Sequence, residues 1–204
     1  MSNPVCWYLR GAIDPIFTIS NFFDRDEVDH IHKLAEGYPI EEGKIHAFKD
    51  NVIFGKLMEN VRRSSVRWMD PKPEIESLYR KIVDSVLEVN AKNFNYNLVG
   101  LESLQYTEYF SDQLGCYGIH SDVRLHLNST LLLQRKLSFS IQLSDPSEYE
   151  GGELVIVIGK DEIIASKDIG TIIFFPSTIT HEVKPVTSGL RRSLVGWVYG
   201  PQLS

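Results

Sequence analysis

The sequence predicts an α+β fold in which N-terminal helices pack on one sheet of a β-rich C-terminal half. Up to about residue 98 apolar residues recur at helical spacing, and after it short β-rich segments alternate with turn sequences. Roughly seven or eight strands in about 100 residues are typical of a jelly roll or a β-sandwich. We therefore expect a single domain over 1–204, with a helical and strand support region at 1–98 and a jelly-roll core at 99–204.

Two helices are predicted in the support region. In "SNFFDRDEVDHIHKLAEG" apolar residues and His32 share one helical face, and Gly37 is a suitable stop. In "PEIESLYRKIVDSVLEVNAKNF" apolar residues recur at three and four from Ile75 to Val89, as in a helix packed on something larger. The segment between the helices, 44–69, shows no decisive pattern.

The core strands are predicted from segments rich in β-branched and aromatic residues. They are "ESLQYTEYF", "RKLSFSIQLS", "GELVIVIG", "DEIIAS", "GTIIFF" and "LRRSLVGWVYG". An immunoglobulin-like sandwich fits the same strand count. The jelly roll is favoured because a sandwich of that kind leaves the polar residues described below unexplained.

Composition limits the partners and the compartment. The chain has 204 residues, 43% of them hydrophobic, and a net charge of −6, so it has no basic surplus for phosphate binding and we expect no nucleic-acid partner. One small basic cluster is formed by Arg62, Arg63 and Arg67. Two cysteines, Cys6 and Cys116, make neither a metal-site spacing nor a disulfide framework. With no signal-peptide pattern and no apolar run of about 20 residues, we expect a cytoplasmic protein with no membrane association.

The segment "YGIHSDVRLH" holds His120 and Asp122, which would point to the same side of a strand. The pair alone is weak evidence, because chance supplies about one His-x-acid spacing in such a chain. A metal site needs a third ligand, and His126 and His181 are the candidates. In an extended strand His126 would lie about 20 Å from His120. His181 follows the apolar strand "GTIIFF", at the rim where a roll opens to solvent.

The final strand carries polar groups on one face. By period two, Arg191, Ser193, Val195 and Trp197 share a side. If this side faces into the roll, the guanidinium would be a buried cation, which is costly unless an anion pairs with it. A ligand carboxylate would satisfy it bidentately. An exposed arginine, or one paired with an internal Asp or Glu, is the alternative that the sequence leaves open.

Four ordered motifs, "LQYTEY", "HSD", "RKLSFSIQLSDPSEYEGGEL" and "GTIIFFPSTITHEVKPVTSGLRRSLVGW", resemble the iron(II)- and 2-oxoglutarate-dependent dioxygenases. The likeness is closest to the prolyl 4-hydroxylase-like branch, with its small microbial and phage-encoded members. It covers residues 101–200 most strongly, and "FTISNFFDRDEVDHIHKLAEG" more loosely. The resemblance implies that the core is a double-stranded β-helix, the jelly roll of that family, and that 99–204 is the catalytic part.

The resemblance also implies roles for single residues. The iron ligands would be His120, Asp122 and His181. Arg191 would bind the distal carboxylate of 2-oxoglutarate, and Ser193 completes an Arg-x-Ser arrangement. Tyr109 resembles the tyrosine whose hydroxyl reaches that carboxylate, although its distance to the "HSD" motif is two residues longer than expected, which leaves Tyr106 as the alternative. The substrate residues would be Tyr117, Arg135 and Trp197.

The activity that the resemblance implies is 4-hydroxylation of a proline in a peptide or protein. Iron(II) would be the cofactor, 2-oxoglutarate the cosubstrate that yields succinate and CO2, O2 the oxidant, and ascorbate a further reductant. Oxidative demethylation of a nucleobase and hydroxylation of a free amino acid are enzymatic alternatives. A roll that only binds a small ligand is the non-enzymatic alternative, disfavoured because all three ligands and the arginine are present. The segment 123–135 departs most from the family pattern and is predicted to form a lid over the site.

Overall fold

The computed structural model of the chain describes residues 15–43, 62–128 and 131–202, without the side chains of 126–131. Two α-helices lie in these ranges, α1 (Arg25–Glu36) and α2 (Glu76–Val89). Cys6 and most of the segment 44–69 lie outside the described residues. No helix of the described ranges is both long enough and apolar enough to span a bilayer.

Both helices begin and end where local chemistry allows. Asp24 caps α1 by accepting from the backbone N–H of Glu27, whose carboxylate accepts in return from the backbone N–H of Asp24. The helix ends at Gly37. At the end of α2 the chain widens into one π-helical turn over Asn90–Phe94 before it leaves the helix.

The strands account for most of the described residues after 98 and for part of those before. They are β1 (Phe17–Ile19), β2 (Glu41–Glu42), β3 (Arg62–Arg63), β4 (Ser65–Met69), β5 (Gly100–Leu101), β6 (Leu104–Phe110), β7 (Cys116–His120), β8 (Leu125–Asn128), β9 (Leu131–Gln142), β10 (Tyr149–Gly151), β11 (Leu154–Ile158), β12 (Asp161–Ile164), β13 (Ile172–Pro176), β14 (Thr180–Val183) and β15 (Val186–Pro201).

These strands form two antiparallel sheets. In the major sheet the order is β1-β13-β9-β15-β6-β4-β2, with β5 and β10 paired to β15 and β8 paired to β9. In the minor sheet the order is β12-β11-β14-β7-β3. Strands of the N-terminal half therefore lie in both sheets, so this half completes the roll as well as bracing it.

The core has two layers. One lies between the helices and the major sheet, where residues such as Ile31, Ile82 and Phe174 pack together. The other lies between the two sheets and includes Ile156 and Phe175. Neighbours on β13 thus alternate between the layers, as a period-two strand buried on both faces requires. The predicted double-stranded β-helix with helices packed on one sheet is confirmed.

Strand β9 shows why one end of the roll is polar. Its apolar residues Leu137, Phe139 and Ile141 belong to the layer under the helices. The alternate residues are polar, and they face the space between the sheets. There Ser138 and Gln142 are buried and make the hydrogen bonds described below. Ser140, between them on the same face, lines a cavity.

Candidate active site

His120, Asp122 and His181 come together at the open end of the roll. His120 ends β7 and lies opposite His181 on the neighbouring strand β14. Asp122 follows two residues after His120, where its backbone N–H donates to the Ser177 carbonyl at 3.0 Å. One nitrogen of each imidazole and one carboxylate oxygen lie within 4.8 Å of one another. The structure thus brings the three predicted metal ligands to one point.

Hydrogen bonds fix the orientation of both imidazoles. Nδ1 of His120 lies 2.8 Å from the Gly118 carbonyl, and Nδ1 of His181 lies 3.1 Å from the Ile179 carbonyl. Because a carbonyl can only accept, each Nδ1 carries a proton, which leaves Nε2 as the nitrogen that each ring can offer to a metal. Burial, aided by the adjacent His181, lowers the pKa of His120 to about 4, so this ring is neutral at neutral pH. Neutral imidazoles with free Nε2 atoms are the form that binds metals.

The carboxylate of Asp122 faces both free nitrogens. Its oxygens lie 3.7 Å from Nε2 of His120 and 3.5 Å from Nε2 of His181, too far for hydrogen bonds. The Ser138 hydroxyl donates at 2.8 Å to Oδ2, the oxygen that also faces His181, and Ser138 in turn contacts the Ser177 hydroxyl at 2.9 Å. Burial raises the pKa of Asp122, but the two histidines and Ser138 outweigh burial and hold it below the ordinary value.

This donor set fits iron(II). Two imidazoles and one carboxylate form the facial arrangement that leaves coordination positions free for other ligands. The gap between Asp122 and the imidazoles is the place where a shared ion would lie, and Ser138 orients the carboxylate from behind, as residues behind metal ligands commonly do. His126, the other candidate third ligand, belongs to β8, and its side chain is outside the described residues.

Arg191 is a buried cation that faces the same cavity. Only 1% of its surface is exposed. Its guanidinium donates to the Gln142 side-chain carbonyl at 3.0 Å and to the Ser193 hydroxyl at 3.3 Å, and its Nε has no hydrogen-bond partner among the described residues. Within the described residues no carboxylate pairs with it. An ion pair with an internal Asp or Glu, which the sequence left open, is therefore absent from this part of the chain.

The other predicted residues on the cosubstrate side separate into two groups. The ring of Tyr109 lies 5.3 Å from the Arg191 guanidinium carbon and lines the cavity. Tyr106, the alternative, lies on the opposite face of β6, where its hydroxyl contacts Nδ1 of His32 at 2.8 Å. The geometry therefore favours Tyr109 over Tyr106 as a neighbour of the cosubstrate, and its role stays a prediction.

The predicted substrate residues surround the other end of the cavity. Tyr117 stacks on the His120 ring, with ring centroids 3.6 Å apart. The Arg135 guanidinium lies 4.0 Å from the centre of the Trp197 ring and forms an ion pair with Glu102. All three predicted residues line the cavity, whose volume is about 790 Å³. Their contact with a substrate stays a prediction.

The structure adds residues that sequence reasoning missed. Ser138 and Gln142 support Asp122 and Arg191, and their even spacing in "RKLSFSIQLS" was the available signal. Arg62 also lines the cavity, although the sequence identified it only as part of a basic cluster. In the predicted lid segment, Val123 and Leu125 line the cavity mouth and β8 pairs with β9, while 129–130 lie outside the described residues.

Comparisons with known proteins point in one direction. A model of the 2OG-Fe(II) oxygenase superfamily matches residues 104–199. A PKHD-type hydroxylase from a Synechococcus species is 32% identical over 130 residues, which are 63% of this chain and 57% of that protein. The chain thus spans a little more than half the length of this curated relative.

Two solved structures are similar in fold. A prolyl-4-hydroxylase from Pseudomonas putida has a TM-score of 0.66 and 18% identity, over 90% of this chain and 91% of that chain. A prolyl hydroxylase from Trichoplax adhaerens, in complex with a peptide fragment of the hypoxia inducible factor oxygen degradation domain, has a TM-score of 0.69 and 18% identity, over 91% and 83%. At these identities the likeness shows the fold. The chain therefore has the double-stranded β-helix fold of the prolyl hydroxylases, and over residues 104–199 it is similar to the 2OG-Fe(II) oxygenase superfamily.

Proposed function

We propose that this protein is an iron(II)- and 2-oxoglutarate-dependent hydroxylase that oxidises a proline in a peptide or protein, with release of succinate and CO2. The observation that carries the proposal is one cavity lined both by a metal-binding triad and by a buried arginine, which no carboxylate among the described residues neutralises. The similarity to 2OG-Fe(II) oxygenases over residues 104–199 supports iron(II) as the cofactor and 2-oxoglutarate as the cosubstrate.

The buried guanidinium of Arg191 favours the binding of a dianion such as 2-oxoglutarate in the cavity. A guanidinium without a counterion in the protein interior is unfavourable, and a ligand carboxylate relieves that cost with charge-assisted hydrogen bonds. Gln142 and Ser193 hold the guanidinium from one side, and its unpartnered Nε leaves a donor free for the ligand. Gly152 makes the room, because a Cβ there would lie 2.9 Å from Cδ of Arg191.

The triad and its supports have separate tasks in the proposed reaction. His120, Asp122 and His181 would hold iron(II), which, when bound, supplies the activation of O2 that converts a C–H bond to C–OH. Ser138 keeps the carboxylate turned toward the imidazoles. No general base is needed among the residues, because the oxidation itself removes the hydrogen. The protein therefore contributes orientation, a cation for the cosubstrate and a shielded pocket.

The remaining cavity suits a residue-sized group. The whole cavity has a volume of about 790 Å³, which far exceeds what 2-oxoglutarate fills. Trp68 and Trp197 lie with ring centroids 6.1 Å apart at this end, and Tyr117 closes the side next to His120. Aromatic walls of this kind favour a compact apolar ring such as that of proline. The Trichoplax relative, which carries a bound peptide, supports a peptide as the substrate.

The test is substrate-dependent succinate release by the iron-loaded protein. Proline-containing peptides, methylated oligonucleotides and free amino acids are compared, and mass spectrometry locates the added oxygen. We expect a proline peptide to stimulate succinate release and to gain one oxygen on its proline. Stimulation by methylated oligonucleotides with loss of the methyl group, and none by any peptide, would overturn the proposal.

A matched pair of variants tests the cosubstrate side. Arg191→Gln removes the cation in the cavity. Arg192→Gln removes its neighbour, whose side chain pairs with Glu108 on the opposite face of the strand. Loss of one partner of a buried charge pair costs about 2–5 kcal/mol, or roughly a 30- to 4,000-fold rise in Kd. We expect this loss of 2-oxoglutarate affinity in the first variant only, and equal affinities in the two would contradict the role of Arg191.

A further inference from the structure

Arg62 is a second cation of the cavity, on the sheet opposite Arg191. It lies on β3, the edge strand of the minor sheet, directly opposite Tyr117 on β7. Its guanidinium carbon lies 4.5 Å from the centre of the Tyr117 ring, whose other stacking neighbour is His120 at 3.6 Å. One aromatic ring therefore separates this guanidinium from the metal-binding triad.

The guanidinium of Arg62 is held in place. Its Nε donates to the Ser64 hydroxyl at 2.9 Å. The Tyr117 ring supports its flat face by a cation–π contact. Gly43 leaves the space it occupies, because a Cβ at that position would lie 2.8 Å from Nε of Arg62. The two contacts and the space at Gly43 hold the side chain in one orientation without using its terminal nitrogens.

The charge of Arg62 is not neutralised by the described residues. Its Nη2 atom is buried and has no hydrogen-bond partner in the part of the chain that the structure describes. Glu41 and Glu42 line the same cavity, but they are exposed and neither forms an ion pair with it. A buried charged donor that lacks an acceptor is costly, and a bound carboxylate would supply one.

The other cations that line the cavity are already accounted for. Arg135 is neutralised by its ion pair with Glu102. Arg124 is exposed to solvent. In the proposed function, Arg191 binds the carboxylate of the cosubstrate. Among the cavity cations of the described ranges, Arg62 therefore stands out as one that is held in place and has no counterion there.

We propose that Arg62 binds a carboxylate of the substrate, so that the protein selects substrates with a carboxylate close to the oxidised residue. The proposal deepens the proposed function, on which it rests for the site of oxidation. Two peptide groups carry this chemistry, namely a C-terminal carboxylate next to the proline and an Asp or Glu side chain beside it. An interior proline flanked by neutral residues would lack the contact.

Direct binding of matched probes to the iron-free protein tests the proposal. One pair is an acetylated alanine–proline dipeptide with a free carboxylate or a carboxamide at its C-terminus. The other pair is a blocked peptide with glutamate or glutamine before its proline. Isothermal titration calorimetry measures the affinity of each probe for four proteins, namely the wild type and the variants Arg62→Gln, Arg62→Lys and Arg63→Gln. Arg63 is the matched control, because it lies on the same strand and its guanidinium binds the Leu114 carbonyl instead.

We expect the wild-type protein to bind the acid of at least one pair about tenfold or more tightly than its neutral partner. That preference should vanish in Arg62→Gln, survive in part in Arg62→Lys and persist in Arg63→Gln. The pair that shows the preference identifies which carboxylate is bound. Absence of any acid preference in the wild-type protein, including absence of binding, would overturn the proposal, as would a preference that survives in Arg62→Gln. Titration of 2-oxoglutarate into the iron-loaded protein is read separately, so a failure of the proposed function is distinguishable from a failure of the carboxylate subsite.

Discussion

Gly152 offers a direct test of how Arg191 is held. Alanine at this position would place a Cβ 2.9 Å from Cδ of Arg191 and 2.9 Å from Cγ2 of Val186, with a backbone φ of +66°. Gly159 has almost the same φ, +65°, and no atom within 4 Å of the equivalent Cβ. Gly159→Ala therefore carries the backbone cost alone, whereas Gly152→Ala adds a clash with the arginine.

The two costs can be separated in magnitude. A non-glycine residue in the left-handed region costs about 1–2 kcal/mol, which both variants share. Overpacking adds about 1–3 kcal/mol, and it applies to Gly152→Ala alone. Because the clash is with Cδ of Arg191, displacement of the guanidinium relieves part of it. This displacement lowers the affinity of the protein for 2-oxoglutarate. We expect Gly152→Ala to be the less stable variant and to lose roughly tenfold or more in 2-oxoglutarate affinity.

Urea unfolding measures the stability of both variants, and calorimetric titration of 2-oxoglutarate into the metal-loaded protein measures the affinity. Gly159→Ala should keep the wild-type affinity, and both variants should keep the wild-type affinity for the metal. If Gly152→Ala and Gly159→Ala lose the same stability and bind 2-oxoglutarate equally well, the claim that Gly152 leaves space for the Arg191 side chain is wrong.

Two further predictions concern the metal site and the layer under the helices. Ser138→Ala removes the hydroxyl behind Asp122 and should weaken metal binding by about 10- to 100-fold in a direct metal titration; wild-type affinity would show that the carboxylate needs no such support. His32 donates from Nε2 to the Leu143 carbonyl and accepts from the Tyr106 hydroxyl, and burial, with Arg192 adding, lowers its pKa. Below about pH 6.5 the unfolded chain binds a proton at His32, whereas the folded chain binds it only at lower pH. The contribution of His32 to the stability of the folded protein is therefore lost as the pH falls. His32→Gln should flatten the decline in the free energy of unfolding between about pH 7.5 and about pH 5.5, and an unchanged slope would contradict the assignment.

Local patterns in the sequence predicted much of the fold. The apolar stripes of the two helices are buried as expected, with Ile31 in the first and Ile82 in the second among the most enclosed residues. The period-two reading of the last strand also matches the structure, since Arg191, Ser193 and Trp197 all line one cavity. These features could be predicted because helix and strand periodicities are set within a few residues.

Features that depend on distant pairing could not be predicted in this way. The edge strand that carries Arg62 lies in a segment without a decisive pattern, and its position follows from its pairing with β7. The ion pair of Arg135 with Glu102 joins residues 33 positions apart. Because of this distance, the sequence could not predict that Arg135 is neutralised while Arg62 has no counterion among the described residues. The triad is an intermediate case, because chemistry suggested His181 but only the register between β7 and β14 places it opposite His120.

Anaerobic titration of iron(II) in the presence of 2-oxoglutarate tests the central claim most directly. The claim is that His120, Asp122 and His181 hold iron(II) beside a cosubstrate anchored by Arg191. The wild-type protein should bind about one equivalent of iron(II) and develop the visible absorption of an iron–keto acid complex, since the triad leaves positions free for that ligand. His181→Ala should show neither. No visible band in the wild-type protein, or the same band in His181→Ala, would contradict the account.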